Sequence, residues 1–381
     1  MKKGSYYDWA RQKGISRRDF LRFCAMTAAM LGLDATAVPR IVEALENKSR
    51  LPVIYLNLQE CTCCGESFIR SAHPLFSDLI FNMISLDYME TLQAAAGTQA
   101  ESARLKTMQE HYGEYILVVE GSATLAEGGI YCTIGGMTAN ELLKECADGA
   151  AAVIAYGSCA TNACVQGAHP NPTQAVPIRR IVKNKPVIDV PGCPPIAEVI
   201  TGTIVHYLTF GKIPELTSLG RPKAFYSKRV HDGCTRRAFF DAGQFVERFD
   251  DEGARKGWCL YKVGCKGPVA YNACAVMEWN DGVSFPVKSG HPCMACSENN
   301  WYDSSTPFYA HLAEIPNQAI GGNPDHIGLA ALGVAGLGVV AHGGITAAAK
   351  GRGKKNHPNR STDTEQRRQV TKKTKTNDKE D

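Results

Sequence analysis

Most of the fifteen cysteines in this 381-residue chain stand in short groups, and the first groups follow directly after short apolar runs. The runs are rich in apolar and β-branched residues and span 52–58, 116–119, 151–156 and 186–190. Stretches with helical periodicity, such as 138–146 and 196–208, lie between them. Strands that alternate with helices predict a parallel sheet covered by helices on both faces. Because ligands of such sheets bind beyond the carboxyl ends of the strands, the cysteine groups are expected to meet at that edge.

Six cysteines and one carboxylate follow these strands. They are Cys61, Cys63, Cys64, Glu120, Cys159, Cys164 and Cys193. Several thiolates brought together from different loops are typical of an iron–sulfur cluster or of zinc. A tetrahedral zinc ion needs only four ligands, so six thiolates favour an unusual cluster. Disulfide pairing in an oxidising compartment is the alternative, but neighbours such as Cys63 and Cys64 pair poorly with each other.

Two further groups of soft ligands lie beyond residue 223, where the periodicity fades and loops rich in Gly, Pro and Cys begin. The first consists of His231, Cys234, Cys259 and Cys265, and the second of Cys274, Cys293 and Cys296. A set of three thiolates suits a cluster without one iron corner, such as 3Fe-4S. Zinc remains open for the set with one imidazole and three thiolates. A region with so little periodicity would gain much of its organisation from bound metal.

The first 44 residues are typical of a targeting segment. Ser16-Arg-Arg-Asp-Phe-Leu21 is followed by the weakly apolar stretch 23–38, which is too short to cross a bilayer. An Arg pair in that setting predicts a twin-arginine export signal, with cleavage near Ala44. A short amphipathic helix with a solvated Arg pair is the alternative.

One membrane-spanning helix is predicted near the C-terminus. Residues 327–349 contain no Asp, Glu, Lys or Arg, and four basic residues follow between 350 and 355. That length suits one bilayer crossing, and the basic flank predicts a cytoplasmic, disordered tail over 350–381, with the body on the other side of the cell membrane. Abundant Gly and Ala favour packing against a partner helix in the bilayer. A buried soluble helix is the alternative.

The formal charge of +4 belongs to the two ends of the chain. Residues 1–44 hold 8 basic and 4 acidic side chains, and residues 350–381 hold 11 and 5. Of the total of 42 basic and 38 acidic side chains, the body therefore keeps 23 and 29, which is a charge of −6. Nucleic-acid binding requires a basic surface on the folded body, so no nucleic-acid partner is expected.

The cysteine groups stand in longer motifs that extend through most of the chain. These are Glu60-Cys-Thr-Cys-Cys-Gly-Glu-Ser67, Gly157-Ser-Cys159, Val190-Pro-Gly-Cys-Pro-Pro195, His231-x-x-Cys234, Cys265-Lys-Gly-Pro268, Trp279-Asn-Asp-Gly-Val-Ser-Phe-Pro286 and His291-Pro-Cys-Met-Ala-Cys296. Together with the export signal, they closely resemble the small subunit of membrane-bound nickel–iron hydrogenases of the respiratory, hydrogen-uptake type. The resemblance covers nearly the whole chain, from Ser16 to about Ala349.

The resemblance implies a flavodoxin-like parallel-sheet domain over 45–222, an irregular iron–sulfur domain over 223–320 and the C-terminal transmembrane helix. It implies that the first domain holds a proximal cluster through Cys61, Cys64, Cys159 and Cys193. A distal 4Fe-4S cluster would be held by His231, Cys234, Cys259 and Cys265. A medial 3Fe-4S cluster would be held by Cys274, Cys293 and Cys296, with Pro286 where a fourth cysteine might otherwise stand.

The extra pair Cys63 and Cys164 resembles the oxygen-tolerant branch of that family. There the proximal cluster is 4Fe-3S rather than 4Fe-4S, six cysteines bind it, and a carboxylate at the position of Glu120 stabilises its most oxidised form. The chain departs from the commonest pattern at Gly65, where Ser is usual, and at Ala163, where Gly is usual. Both changes leave the expected ligands intact.

The resemblance also implies partners. Hydrogen would be split on a large subunit, because this chain has no second pair of Cys-x-x-Cys motifs of the kind that holds nickel and iron. Electrons would pass from the proximal to the medial and distal clusters, then to a membrane cytochrome b and through it to quinone. A dimer of heterodimers is among the assemblies open to such a complex. Two alternatives remain: a quinone-linked subunit related to respiratory NADH dehydrogenase, and an exported, disulfide-rich binding protein.

Overall fold

The computed structural model describes residues 5–12, 14–30, 33–47, 50–305, 308–312 and 324–355. The chain divides into two compact units, residues 1–313 and 314–381. The first unit contains a central sheet, the helices around it and all fifteen cysteines. The described part of the second unit is one long helix.

The sheet of the first unit has five parallel strands. They are β1 (Leu51–Asn57), β2 (Ile84–Met89), β3 (Ile116–Glu120), β4 (Ala152–Tyr156) and β5 (Val187–Val190). Their order across the sheet is β2-β1-β3-β4-β5, which is the flavodoxin-like order. β3, β4 and β5 are buried along their whole length, which explains why they are mostly apolar. The one buried charge inside β5, that of Asp189, pairs with Arg179 at 2.7 Å. The parallel sheet expected from the sequence is therefore confirmed.

Helices cover both faces of this sheet. The longer ones span Cys63–Ile69, Thr98–Glu110, Ala139–Asp148 and Ala197–Phe210, and the shorter ones Phe76–Asp78, the π-helical turn Leu79–Met83 and Ser158–Asn162. Two antiparallel pairs of two-residue strands lie in the connecting loops, Ala123–Thr124 with Ala175–Val176 and Thr133–Ile134 with Met137–Thr138. The helix after Thr138 begins with a capping box between that residue and Glu141. The helices expected over 138–146 and 196–208 each start one residue later and end two residues later.

Residues 223–312 contain only short elements where the structure describes them. Helices span Lys223–Tyr226, Arg237–Asp241, Glu252–Arg255, Cys274–Met277 and Trp301–Ser304. The 3₁₀ turns of the first unit span Ala35–Ala37, Ala126–Gly129, Cys164–Gly167, Ile178–Arg180, Val230–Gly233, Tyr261–Val263 and Gly267–Val269.

Val246, Leu260 and Phe285 belong to the same buried apolar cluster as Val53 in β1. The described residues of the two predicted domains, 45–222 and 223–320, thus share one core.

Three helices precede β1, and they span Tyr6–Gln12, Arg17–Met30 and Val38–Asn47. The second helix buries Phe20, Cys24 and Ala28, which lie four residues apart on one face. This face contacts the body, because the second and third helices both pack against Ala197–Phe210. The segment expected to be an export signal is therefore folded against the sheet domain in this chain.

The first arginine of the Arg pair is engaged within that segment. The Arg17 guanidinium lies 4.6 Å from the centroid of the Tyr7 ring and forms an ion pair with Glu46. The third helix also runs across Ala44, near which cleavage is expected. Cleavage at that position would separate Arg17 from its carboxylate partner.

The second compact unit contains the helix Pro324–Lys355. Its stretch Ala331–Ala349 is long and apolar enough to cross a membrane, and its side chains are exposed. At 1.5 Å per residue this stretch measures about 28 Å, close to the hydrocarbon thickness of a bilayer. The helix includes residues 350–355, the start of the tail that the sequence predicts to be disordered. The rest of that tail, 356–381, and residues 313–320 of the predicted second domain lie outside the described residues.

Candidate metal centres

The first group of cysteines lies at the carboxyl edge of the sheet. The chain supplies Cys61, Cys63 and Cys64 after β1, Glu120 at the end of β3, Cys159 and Cys164 after β4, and Cys193 after β5. Because parallel strands all end at one edge, the short loops after them bring these side chains together. None of the fifteen cysteines, all of which lie in described residues, forms a disulfide.

The thiols of this group lie close to one another. The Cys164 thiol is within hydrogen-bonding reach of those of Cys159 and Cys193. The charges of Cys159, Cys193 and Cys61 all act on the buried Cys64. Residues from three separate loops therefore face one small volume, as the sequence predicts.

The outer rim of the group is exposed. Cys61 and Cys63 are within hydrogen-bonding reach of each other, and both are exposed, as is Cys193. Solvent access to a cluster alters its redox potential, so a surface that covers these thiols would be needed for a dry site.

The position of Cys64 depends on Gly157. This glycine follows β4 with φ +91°, and a Cβ on it would collide with the Cys64 Sγ atom. Burial raises the pKa of the Cys64 thiol well above its ordinary value. Since the thiolate is the form that binds metal, binding at this position would release a proton.

Glu120 is fixed beside the first group by four hydrogen bonds. Its Oε1 atom accepts from the Cys64 N–H at 2.9 Å, and Oε2 accepts from the Gly65 N–H at 3.0 Å. Oε2 also accepts from the Tyr55 hydroxyl at 2.7 Å and from Asn57 Nδ2 at 3.3 Å. Burial raises the pKa of Glu120, and the bonds from Tyr55 and the two backbone amides lower it. The carboxylate is therefore held against the backbone of a cysteine loop.

The two departures from the usual family pattern both contact this group. A Cβ on Gly65 would lie 3.2 Å from Glu120 Oε2 and 3.3 Å from Met89 Cε, so a serine there requires the methionine to move slightly. Ala163 has φ +66°, in the left-handed region that favours glycine, and it leads directly into Cys164. Neither substitution removes an expected ligand.

The second group lines a cavity of about 460 Å³. Cys274, Cys293, Cys296 and Pro286 contribute to its wall, and Cys63 and Cys193 of the first group line it as well. Burial raises the pKa of Cys274 and Cys293 well above the ordinary thiol value, and that of Cys296 to about 12. The cavity has room for a cluster of several atoms rather than only for a single ion.

The third group surrounds a smaller pocket lined by His231, Cys234, Cys259 and Cys265. Burial, assisted by the charge of Arg237, lowers the pKa of His231 to about 4. The imidazole is therefore neutral at pH 7, which is the form that binds a metal. In the part of the chain that the structure describes, no three His, Cys, Asp or Glu side chains form a site for a single metal ion.

Direct contacts join the three groups in a row. The backbone of Cys193, in the first group, lies beside the Cys296 thiol of the second, and the Ser158 hydroxyl donates to the Cys296 carbonyl. The Cys293 N–H of the second group donates to Cys265 Sγ of the third at 3.4 Å. The order along this row is therefore first, second and third group, with the second in the middle.

Two indole groups indicate that the cavity suits a sulfur-rich ligand. Trp279 and Trp301 line it together with the second group, and their Nε1–H groups are buried without an acceptor among the described residues. Cluster sulfurs accept hydrogen bonds from nearby donors. Together with the neutral imidazole and the thiols of the three groups, these donors fit iron–sulfur clusters.

Several side chains that support the groups are missing from the sequence predictions. Ser158 accepts a hydrogen bond from the Gly192 N–H at 3.0 Å and donates to the Cys296 carbonyl, so it joins the first and second groups. Its place inside the Gly157-Ser-Cys159 motif is the signal that could identify it. Tyr55 has no such signal, because it lies within an apolar strand and its partner is 65 residues away.

Two family descriptions match separate parts of the chain. Residues 61–207 match the family "NADH ubiquinone oxidoreductase, 20 Kd subunit", and residues 226–309 match the C-terminal region of the NiFe/NiFeSe hydrogenase small subunit. The first match includes the sheet edge with the first cysteine group, and the second includes the other two groups. The second match favours a hydrogenase subunit over a subunit related to NADH dehydrogenase.

Curated relatives are similar over nearly the whole chain. The uptake hydrogenase small subunit of Azotobacter vinelandii is 57% identical over 343 residues, which are 90% of this chain and 96% of that protein. The hydrogenase-1 small chain of Escherichia coli (strain K12) is 49% identical over 361 residues, which are 95% of this chain and 96% of that protein.

Solved structures show the same fold. A reduced, active form of the Ni-Fe-Se hydrogenase from Desulfomicrobium baculatum is 29% identical with a TM-score of 0.66, and the match covers 69% of this chain and 100% of that one. The actinobacterial-type NiFe-hydrogenase from Ralstonia eutropha H16 is 22% identical with a TM-score of 0.65, and the match covers 76% of this chain and 91% of that one. The latter likeness concerns the fold alone.

Proposed function

The chain belongs to the small-subunit family of nickel–iron uptake hydrogenases, and we propose that it conducts electrons from a large subunit, where hydrogen is oxidised at nickel and iron, to the membrane. The observation that carries this proposal is the row of three cysteine groups, in which Cys193 contacts Cys296 and Cys293 contacts Cys265. Bound iron–sulfur clusters would supply the one-electron redox chemistry. The chain itself supplies the ligands, their spacing and their burial.

Each group would hold one cluster. The proximal cluster is assigned to Cys61, Cys64, Cys159 and Cys193, the medial 3Fe-4S cluster to Cys274, Cys293 and Cys296, and the distal 4Fe-4S cluster to His231, Cys234, Cys259 and Cys265. Pro286 lies in the same cavity wall as the three medial cysteines, which supports a site where proline stands in place of a fourth cysteine. The neutral imidazole of His231 supports its role as a distal ligand.

The proximal cluster would be of the six-cysteine, 4Fe-3S type rather than 4Fe-4S. Two observations support this: the Cys164 thiol lies within reach of Cys159 and Cys193, and the Cys63 thiol lies within reach of Cys61. Added thiolates place more negative charge on a cluster, which favours its oxidised forms. The carboxylate of Glu120, held against the Cys64 loop, would further stabilise such a form.

The body would lie on the periplasmic side of the cell membrane after twin-arginine export. The apolar stretch Ala331–Ala349 supports an anchor there, with a basic cytoplasmic tail after it. A membrane cytochrome b would take the electrons and pass them to quinone. The exposed thiols Cys61 and Cys63 support the presence of a protein surface, that of the large subunit, over the proximal group.

Redox-poised electron paramagnetic resonance on the membrane-extracted complex tests this assignment. We expect a 3Fe-4S signal in the oxidised sample and an additional paramagnetic proximal state at high potential. A medial signal without the high-potential state would still support the hydrogenase function, but it would contradict the six-cysteine proximal cluster. The absence of any iron signal at every poise would contradict the electron-transfer proposal.

Replacing Cys63 and Cys164 together by glycine tests the role of the extra pair. Cys164 has φ +47°, a conformation that glycine adopts without strain, so the substitution should leave the backbone in place. We expect hydrogen oxidation to proceed under nitrogen and to fail in air. The matched control changes Cys132 and Cys146, which belong to none of the three groups, to alanine. Activity in air that survives in the Cys63/Cys164 variant would show that the pair has another role.

A further inference from the structure

Lys266 is a buried lysine that lies between the medial and distal groups. It is 3% exposed. It follows the distal ligand Cys265 directly in the chain, and its backbone N–H donates to the carbonyl of the medial ligand Cys293 at 2.7 Å. Both groups therefore adjoin this one residue.

Three backbone carbonyls surround the Lys266 side-chain nitrogen. Nζ donates to the Gly264 carbonyl at 2.7 Å, to the Phe308 carbonyl at 3.0 Å and to the Ala310 carbonyl. An ammonium group has three N–H donors, whereas a neutral amine has only two and would direct a lone pair at one of the oxygens. The geometry therefore fits a positively charged Lys266.

No carboxylate balances this charge in the described part of the chain. Burial lowers the pKa of Lys266, and the titratable groups that oppose this effect are the thiols of Cys265 and Cys293. A buried ammonium is strongly destabilising unless a negative charge lies beside it. Thiolates that bind clusters carry such a charge and neutral thiols do not, so cluster-bound Cys265 and Cys293 are the groups that can balance the lysine.

We propose that Lys266 is a counter-charge shared by the medial and distal clusters and that it raises the reduction potentials of both. Reduction adds one electron, and hence one negative charge, to a cluster without any bond to Lys266 forming or breaking. A fixed positive charge in a site with little water stabilises the reduced form. The inference rests on the proposed function, because it requires clusters at both groups.

Arg236 provides an internal comparison. It is also buried, its backbone N–H contacts Cys234 Sγ at 3.4 Å, and its guanidinium donates to the Trp258 and Lys288 carbonyls at 2.6 and 3.4 Å. Its charge acts on Cys234 and Cys259, which are both distal ligands. Arg236 should therefore influence the distal cluster alone, whereas Lys266 should influence both clusters.

The test uses the complete chain, carrying Lys266→Met, Arg236→Met or Lys262→Met, in complex with its large subunit. Iron content is measured first, and the medial and distal potentials are then obtained by redox titration followed by electron paramagnetic resonance. Lys262 is the control, because it is half-exposed and pairs with Glu247 at 2.6 Å. We expect Lys266→Met to raise the oxidised-to-reduced ratio of both clusters at a fixed poise by roughly tenfold, about 59 mV for a one-electron couple. Arg236→Met should shift only the distal cluster, and Lys262→Met should shift neither.

Unchanged potentials in Lys266→Met at wild-type iron content would overturn the proposal, and a shift confined to one cluster would overturn the shared role. If Lys266→Met fails to load iron at these two sites, Lys266→Arg decides the question. Loading restored by arginine supports a charge requirement, and loss of loading in both variants contradicts it. Absence of medial and distal signals from the unmodified complex would instead contradict the proposed function.

Discussion

At the scale of single residues, a side chain inside a buried strand holds the carboxylate of Glu120 beside the first cysteine group. The strongest side-chain partner of this carboxylate is Tyr55, which is fully buried in β1 and stacks on Phe68 with ring centroids 6.0 Å apart. This stacking holds the phenol ring while its hydroxyl bonds Oε2 at 2.7 Å. The Tyr55 hydroxyl therefore positions the carboxylate of Glu120, and its hydrogen bond goes to that carboxylate rather than to a thiol.

We expect Tyr55→Phe to alter the proximal site while the chain remains folded. Loss of a hydrogen bond to a buried charged acceptor costs about 1–3 kcal/mol. Tyr88→Phe is the matched control, because Tyr88 is also buried and its hydroxyl lies 2.9 Å from carboxylate oxygens of Glu90 and Glu101, neither of which belongs to the first group. Both variants should lower the midpoint of thermal unfolding, and only Tyr55→Phe should change the proximal paramagnetic signal. An identical proximal signal in both variants would contradict a positioning role for Tyr55.

A second prediction at this scale concerns Ala163. Its left-handed backbone costs an L-residue about 1–2 kcal/mol, whereas glycine loses about 0.5–1 kcal/mol of backbone entropy on folding. Ala163→Gly should therefore stabilise the chain slightly, by roughly 0.5–1 kcal/mol. Ala160→Gly, in the neighbouring helix Ser158–Asn162, should instead destabilise it, because that position is helical and buried. Thermal unfolding of the two variants side by side measures the sign, and a lower midpoint for Ala163→Gly would refute the strain argument.

At the scale of elements, the turn after each strand decides whether the cysteines can meet. The turn after β4 needs Gly157 because Cys64, which enters from the loop after β1, occupies the space of a Cβ there. Gly157→Ala should therefore displace Cys64 and reduce the iron bound at the proximal site, while the medial and distal signals persist. Gly211→Ala is the control: Gly211 also has a positive φ, +66°, and a Cβ on it would have no neighbour within 4 Å. Proximal iron that is lost equally in both variants would point to general backbone strain instead of the collision with Cys64.

Of the five strands in the parallel sheet, the sequence predicts four that are almost fully buried and misses β2, which is only partly buried. Strands β1, β3, β4 and β5 are mostly apolar and are followed by polar residues or glycine, so both their existence and their shared edge could be inferred. β2 lies at the edge of the sheet with three half-exposed residues, and its run Ile-Ser-Leu-Asp-Tyr-Met alternates between apolar and polar residues. Such short alternation is a weaker signal, although period-two patterning is what an edge strand requires.

The sequence identifies the candidate ligands but not the side chains that support them. Cysteines and histidine can be recognised as candidate ligands by their type and spacing. Ser158, Tyr55 and Lys266 cannot, because they act through contacts with distant parts of the chain. Lys266 illustrates the limit: its position after Cys265 is visible in the sequence, but two of its three carbonyl partners lie more than 40 residues away. No local pattern encodes such a contact.

At the scale of the whole molecule, the three cysteine groups and the long apolar helix belong to different compact units. The sheet and all three cysteine groups belong to residues 1–313, whereas the long apolar helix belongs to residues 314–381. The N-terminal helices belong to the first unit. The sequence could not indicate this, because an Arg pair followed by an apolar stretch predicts a targeting signal and says nothing about packing against the body. Tertiary contacts of Phe20, Cys24 and Ala28 with the body have no local signature.

This separation predicts the outcome of deleting residues 327–381. Since the deletion leaves the first unit complete, the truncated chain with its large subunit should reduce soluble dyes with hydrogen as the untruncated complex does. Quinone reduction should be lost, and the complex should leave the membrane fraction, because the apolar stretch of the helix is removed. Both activities are measured on the same preparation, with and without membranes.

A helix swap separates anchoring from specific contact. If residues 331–349 are replaced by an unrelated apolar sequence of equal length, membrane attachment should return. Return of quinone reduction with it would mean that the helix serves only to hold the distal group at the membrane. Attachment without quinone reduction would mean that the Gly- and Ala-rich surface itself binds the membrane partner, as close helix packing requires. Quinone reduction that persists after the deletion would contradict the anchoring role altogether, since the first unit would then reach its acceptor without the helix.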